Sequence, residues 1–443
     1  MGEDVTTLRR VPGFLSYWSA ATVSSFGSAV SAVAVPVLVV TVLHATAFEV
    51  GLVNAAQFLP YALFGLIVGA YVDRFRRRPL LIWASVGRGV CLGAIPVLWL
   101  TGFLNLWVTA AALFVFGILS VVGFAATQSL LPRIVPRHFL LAANARVDQS
   151  DAAAQTVGPA LGGVLASVVT APVAIALDTV SYFVDAVLIA RVRVVEQMPA
   201  RQAGKRLRHD IADGLRWTYG HATLAPLALS THLWFLANAA ALTVFATLAL
   251  RTLALPAAVY GAILAVSGVA MLVGATAAPR LGTHFGAGRT IIAARAAYPI
   301  AWAAITLVTL GTGGAARPAT VSVLFLAFAV HGAAAGCENA NEMSLRQAVT
   351  PDALLGRTNG TMRSANRTLA AVGAVGGGAL MTVAGDGFAL LAVTLVFAAA
   401  VIVAACSPLR TATVHSGICR RTRCDAVSTR DGRRATEASR RAR

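Results

Sequence analysis

The chain is poor in charge: only 12% of its 443 residues are Asp, Glu, Lys or Arg, and acids are the scarcer sign, 18 against 36 bases. Water-soluble domains carry about a quarter charged residues, so a soluble multidomain protein is excluded. Cysteine is scarce as well. Cys91, Cys337, Cys406, Cys419 and Cys424 form no paired metal-ligand spacing, and the last three fall in a tail expected in the cytoplasm, where thiols stay reduced. No Gly-x-x-x-x-Gly-Lys-Ser/Thr segment offers a phosphate cradle, so ATP-driven transport is not expected. No nucleophile, base and acid stand together, so no enzyme, cofactor or metal site is expected. Met1 to Gly13 contain Glu3 and Asp4, and no small-residue cleavage site follows a short apolar core, so no removable signal peptide is expected.

Hydrophobic residues make up 57% of the chain, with a mean hydropathy of +0.74. They recur in runs of about 20 residues, each long enough to cross a bilayer. Twelve spans are expected: 14–40, 50–72, 80–100, 106–128, 145–168, 172–190, 225–250, 259–279, 290–310, 318–341, 360–384 and 387–405. Lipid offers backbone groups no partners, and the runs lack the alternation of barrel strands, so the spans are helices. The expected fold is an all-α polytopic membrane protein.

Basic residues gather in the N-terminus, the loops after even-numbered spans and the C-terminal tail, while the opposite loops hold Arg251 and Arg317. This asymmetry places both termini in the cytoplasm. It explains the formal charge of +18 by topology and anionic headgroups, so the bilayer and not nucleic acid is the expected partner.

The longest polar interruption, Arg191 to His221, separates six spans from six. The expected units are residues 1–190, a central loop 191–222, residues 223–405 and a basic disordered tail 406–443. A worn repeat supports two pseudo-symmetric six-helix bundles. "LIVGAYVDRFRRRPLLIWASVGRGV" has a counterpart in "MLVGATAAPRLGTHFGAGRTIIAARAA", pairing Gly69 with Gly274 and placing Ala278 opposite Asp73. Two such halves are a transporter architecture with the substrate site between them.

"GAYVDRFRRR" resembles the loop between spans two and three of the major facilitator superfamily. "LLPRIVPRHFLLAANA", "GPALGG", "LDTVSYF", "DIADGLRWTYGH" and "SLRQAVTPDALLGRTNG" resemble its branch of drug:proton antiporters that contains macrolide-efflux and enterobactin-export proteins. The resemblance implies a gating latch on the cytoplasmic side, built from Gly69, Asp73, Arg74, Arg77 and Arg78 with Arg133 and Arg357. An aspartate there also suits the positive N-terminus of span eleven. The loop departs from the pattern at Arg76, where glycine is usual. "GPALGG", with Gly158, Pro159, Gly162 and Gly163, gives span five a bend and a close-packing face, which the resemblance associates with export. Many relatives carry an acid after a glycine in span one, where this chain has Gly27 and Ser28.

Charges inside spans are costly and mark candidate functional sites. Arg88 and Asp185 lie at comparable depth in neighbouring spans and are a candidate ion pair. Asp178 is a candidate for proton binding or for helix packing. Asp148 and Asp151 are expected to cap the start of span five, and Arg295 to snorkel to the cytoplasmic surface. Glu338 and Glu342 share one face of span ten, so one of them, the deeper Glu338 first, is a candidate proton carrier with His331 as relay.

The expected function is secondary active, proton-coupled efflux of drugs or an amphipathic metabolite or siderophore by alternating access, from the cell membrane of a bacterium. The partners are a small-molecule substrate and protons, and the protein is expected to be a monomer. An importer or uniporter of a small solute, or a membrane sensor on a transporter fold, are the alternatives.

Asp73→Asn removes a charge-to-dipole contact of roughly 0.3–1 kcal/mol from the state closed toward the cytoplasm. It should express normally, turn over slowly and raise the cytoplasmic accessibility of cavity cysteines. Wild-type transport with unchanged accessibility would reject the latch.

Overall fold

A computed structural model describes residues 8, 11–72, 75–192, 194 and 207–412. The described chain is helical: α1 (Phe14–Val37), α2 (Ala47–Val72), α3 (Arg77–Leu100), α4 (Leu106–Ile134), α5 (Leu140–Val168), α6 (Ala171–Arg191), α7 (Leu207–Gly220), α8 (Leu224–Thr247), α9 (Ala257–Phe285), α10 (Ala287–Gly311), α11 (Pro318–Val349) and α12 (Asp352–Ala405). Ten are long and apolar enough to cross a membrane. One of these, α12, reverses direction at Gly385, whose φ of 83° is open to glycine at no steric cost, so it supplies two crossings. The more polar α5 completes twelve. Every basic loop then lies at one end of the bundle, here termed the basic face.

The spans meet the expected ones, with differences at their ends. Helix α5 starts at Leu140, after a 3-10 turn at Arg137–Phe139. Asp148 and Asp151 are therefore more than two turns inside it and do not cap it. Within the central loop, α7 packs under the second half: Asp213 accepts from Arg357 Nη1 at 2.9 Å, and Tyr219 Oη meets His232 Nε2 at 2.8 Å. Residues 408–411, expected in the disordered tail, form a short turn. Leu409 is buried there, and Gly288 N–H donates to the Ala412 carbonyl at 3.0 Å, because this segment covers the start of α10. The rest of the tail lies outside the described residues.

One repeat is sharper in the structure than in the sequence. Helices α1 and α8 both end in a π-helical turn, Leu38–Val42 and Leu248–Thr252. Each is followed by a non-glycine residue at positive φ, His44 at 51° and Ala254 at 47°. Ala45 and Leu255 then donate back to Val39 and Ala249 at 3.0 and 2.8 Å. This strained reversal persists because the turns are locked in the main core, where Leu38, Val39, Leu248 and Ala249 are fully or almost fully buried. Arg251 ties the two turns by donating to the Ala45 carbonyl.

The two halves meet at the face opposite the basic one along two seams of small residues. Along α5 and α9, a Cβ on Gly163 would sit 2.5 Å from the Ala257 carbonyl oxygen, and Gly261 and Gly268 abut the Pro159 and Gln155 carbonyls. Along α2 and α12, Gly51 abuts the Ala374 carbonyl and Gly378 the Ala47 carbonyl. Hydrogen bonds cross with them: Ala258 N–H to Ser167 Oγ, Phe48 N–H to Thr382 Oγ1, and Asn54 Nδ2 to Thr243 Oγ1, at 2.9–3.0 Å. Nearer the basic face contact loosens, and Gly65 meets only Ser364 Oγ.

Gly163→Val should prevent this seam from closing, because the obstructing atom is backbone. Cysteine labelling at the opposite face should rise and transport should fall by an order of magnitude or more. Gly376→Ala, which meets nothing within 4 Å, should behave as wild type.

Candidate functional site

A cavity of about 740 Å³ lies between the halves, lined mainly by α1, α2, α4 and α6, with α8, α9 and α12 closing its far wall. It runs from Val35 and Pro36, beneath the closed seams, to Tyr17, Gln128 and Asp148 toward the basic face. The molecule is thus closed at one face and approachable from the other. Its size suits a drug-sized ligand.

The charged part of the wall comes from Arg88 on α3, Asp178 and Asp185 on α6, Asp148 and Asp151 on α5 and Arg367 on α12. Arg88 sits at 4.0 Å from Asp185, with Ser85 between them: Arg88 Nη2 donates to Ser85 Oγ at 2.9 Å, and Ser85 Oγ donates to Asp185 Oδ2. The structure thus brings together the candidate pair expected from comparable depth on two spans that neighbour each other in the fold the resemblance implies. Gly123 on α4 makes room for the guanidinium, which also lies 4.5 Å over the Tyr182 ring. Tyr182 in turn shares a 2.8 Å hydrogen bond with Ser28.

Asp178 is one turn above Tyr182 and 1% exposed. One carboxylate oxygen accepts from Ser181 Oγ at 2.9 Å, and the Ser31 hydroxyl lies beside the group as well. Burying a carboxylate is costly even so, and a proton or a cation relieves that cost. Asp178 abuts Gly27 of α1, where any Cβ would collide with it and with Ser181. An acid from α6 thus lies against Gly27, while Ser28, the next residue, meets Tyr182. Asp151 accepts from Ser25 Oγ at 2.5 Å nearer the basic face.

Other candidates lie elsewhere. Glu338, Glu342 and His331 on α11 do not line this cavity. Arg295, 1% exposed, is enclosed and does not snorkel: Glu338 Oε1 accepts from its Nε at 2.7 Å, Glu342 Oε2 from its Nη2 at 3.3 Å, and Thr231 Oγ1 at 2.7 Å, with Ser230 completing the shell. Glu342 also pairs with Arg346 at 3.5 Å. His331 is packed among Tyr298, Trp302, Phe328 and Phe397, and its Nδ1 accepts from Trp302 Nε1 at 3.3 Å. The reason is helical phase: the face that carries both glutamates turns toward α10, not toward the first half.

The latch candidates are described in part. Asp73 and Arg74 lie outside the described residues, as does the side-chain environment of Gly69. Arg77 is buried and donates to the Phe75 carbonyl at 3.0 Å, Arg78 donates to the Ile189 and Ala190 carbonyls at the end of α6, and Arg133 is exposed. Arg357 holds Asp213 of α7. In "GPALGG", Gly158 and Gly162 pack on Ala29 and Val30 of α1 while Gly163 packs on α9, with Pro159 inside the helix.

Sequence reasoning missed Arg363 and Arg367, which fall within α12 and carry cation–π contacts to the first half. The signal was available: two arginines four apart, on one helix face, in "TMRSANRTLA".

A family model described as a transmembrane secretion effector matches residues 7–425. The chain is 26% identical over 396 residues to an uncharacterized major-facilitator-type transporter of Bacillus subtilis, covering 86% of this chain and 90% of that one. It is 27% identical over 184 residues to macrolide efflux protein A of Streptococcus pyogenes, covering 41% of this chain and 44% of that one. Among solved structures it resembles a nucleoside transporter (TM-score 0.71, 9% identity, 89% and 98% coverage). It also resembles a D-xylose-proton symporter (TM-score 0.66, 15% identity, 90% and 98% coverage).

Glu338→Leu alone should destabilise the detergent-solubilised protein by up to about 3–5 kcal/mol, since it takes from the buried guanidinium its nearer carboxylate and leaves Glu342 as the other. Arg295→Met combined with Glu338→Leu should recover part of that loss in thermal unfolding. Equal losses for the single and double variants would argue against a structural ion pair.

Proposed function

This chain belongs to the major facilitator superfamily, and we propose that it is a proton-coupled exporter of amphipathic cations working by alternating access. The observation that carries the reading is the buried carboxylate of Asp178 on the wall of a cavity that reaches toward the basic face, beneath the packed glycine seams of the opposite face. By the positive-inside rule that face is cytoplasmic, so the state described here faces inward and is ready to load.

The charge balance of the wall supports a cationic substrate. Four carboxylates, Asp148, Asp151, Asp178 and Asp185, share it with two guanidiniums, Arg88 and Arg367, and aromatic rings supply faces for an apolar cation. Arg88 stays close to Asp185, and Asp148 and Asp151 are exposed, so the buried Asp178 is the acid that exchanges a proton for substrate. In the sequence of steps, the loaded cavity closes at the basic face and the glycine seams part. Substrate leaves, and a proton returns on Asp178 so that the empty protein can reset without a buried bare charge. The partial likeness to macrolide efflux proteins supports the outward direction. Likeness of fold to a proton symporter favours a second reading, proton-driven uptake of a small solute through the same cavity.

Inverted vesicles energised acid-inside separate the two: an exporter accumulates a lipophilic cation, an importer expels its solute. Asp178→Asn should abolish uphill transport driven by a pH gradient, by a hundredfold or more, while substrate-for-substrate exchange continues and loses its pH dependence. Uphill transport that survives this substitution rules Asp178 out as the proton carrier.

A further inference from the structure

Two arginines of α12 cross from the second half onto aromatic rings of the first. The Arg367 guanidinium lies 5.4 Å from the ring centres of both Phe58 and Tyr61 on α2, and that of Arg363 lies 4.0 Å over Phe124 on α4. Phe58, Tyr61, Phe124 and Arg367 all line the cavity. Among the described residues neither arginine is in an ion pair with a carboxylate. Three rings of the cavity wall, Phe58, Tyr61 and Phe124, are therefore already held by cations of the second half.

We propose that Arg367, backed by Arg363, is a tethered competitor that sets specificity: a ligand cation binds Phe58 and Tyr61 only by displacing the guanidinium. This rests on the cationic-substrate reading above. Two like charges cannot share one ring face, so the arginine must swing away as the ligand arrives. A compact, strongly hydrated ammonium gains too little from the rings to leave water and evict it. A large, delocalised lipophilic cation gives up little hydration and can. Because the arginines stand on one half and the rings on the other, the same displacement also breaks a contact between halves. Ligand binding is thereby linked to their relative movement.

The test is equilibrium binding of tetraphenylphosphonium to the purified full-length protein, with tetraphenylborate as the anion of matching shape. Arg367→Gln should tighten tetraphenylphosphonium binding roughly two- to thirtyfold, the range of a cation–π contact released for the ligand. Arg367→Lys, which restores a competing cation, should bring affinity back toward wild type. R367Q/F58L/Y61L should lose the gain, and tetraphenylborate should not bind R367Q more tightly than wild type. A gain that persists without the rings reduces the effect to charge repulsion and overturns the proposal, as does unchanged or weaker binding in R367Q. Should R367Q not fold, Arg363→Gln with its ring variant Phe124→Leu gives the same comparison with the same expected signs. Binding by wild type without tightening in R367Q overturns this inference alone, whereas binding by neither protein overturns the cationic-substrate reading with it.

Discussion

The closed face depends on backbone meeting backbone. In lipid, apolar side chains gain nothing by leaving hydrocarbon for one another, so close approach with good packing has to hold the halves together. Glycines supply it: Gly163, Gly261 and Gly268 along α5 and α9, and Gly51 and Gly378 along α2 and α12, each facing a carbonyl of the opposing helix. These contacts are short-ranged and made without buried charge, so they can part and re-form without stranding an ion. The cavity, its single approach and the placement of its acids all follow from that closure.

Charge is distributed unequally between the halves. In the second half Arg295 is enclosed by two glutamates and two hydroxyls, a cluster removed from the cavity. The first half places Arg88 and the four carboxylates of the wall on the cavity, and the second half places Arg367 there. The enclosed ion cluster makes the second half a firm support, while most of the cavity's charge stands on the first half. Helix α7 adds a bracket on the support side, joined to α12 through Asp213 and Arg357 and to α8 through Tyr219 and His232.

Much of this was legible in the sequence. Run length and the absence of partners for backbone in lipid fix the number and type of spans, and the "AGDGFA" break marks the reversal at Gly385. Depth along neighbouring spans was enough to pair Arg88 with Asp185. Helical phase was not legible. Glu338 and Glu342 share a face by spacing, but spacing does not say which neighbour that face meets, and the structure turns it to Arg295. For the same reason spacing could not show that Asp178 abuts Gly27, or that Arg363 and Arg367 of α12 reach rings of the first half.

The sequence by itself thus determined crossing number, the sidedness of charge and the small residues that permit close approach, because these follow from local composition in a bilayer. Only the tertiary structure decided which buried charges meet ligand space and which meet each other. That choice depends on the rotation of each helix about its own axis, which is set by packing against helices distant in the chain: Ser28 reaches Tyr182, and Arg367 reaches Phe58, only once α1, α2, α6 and α12 are assembled.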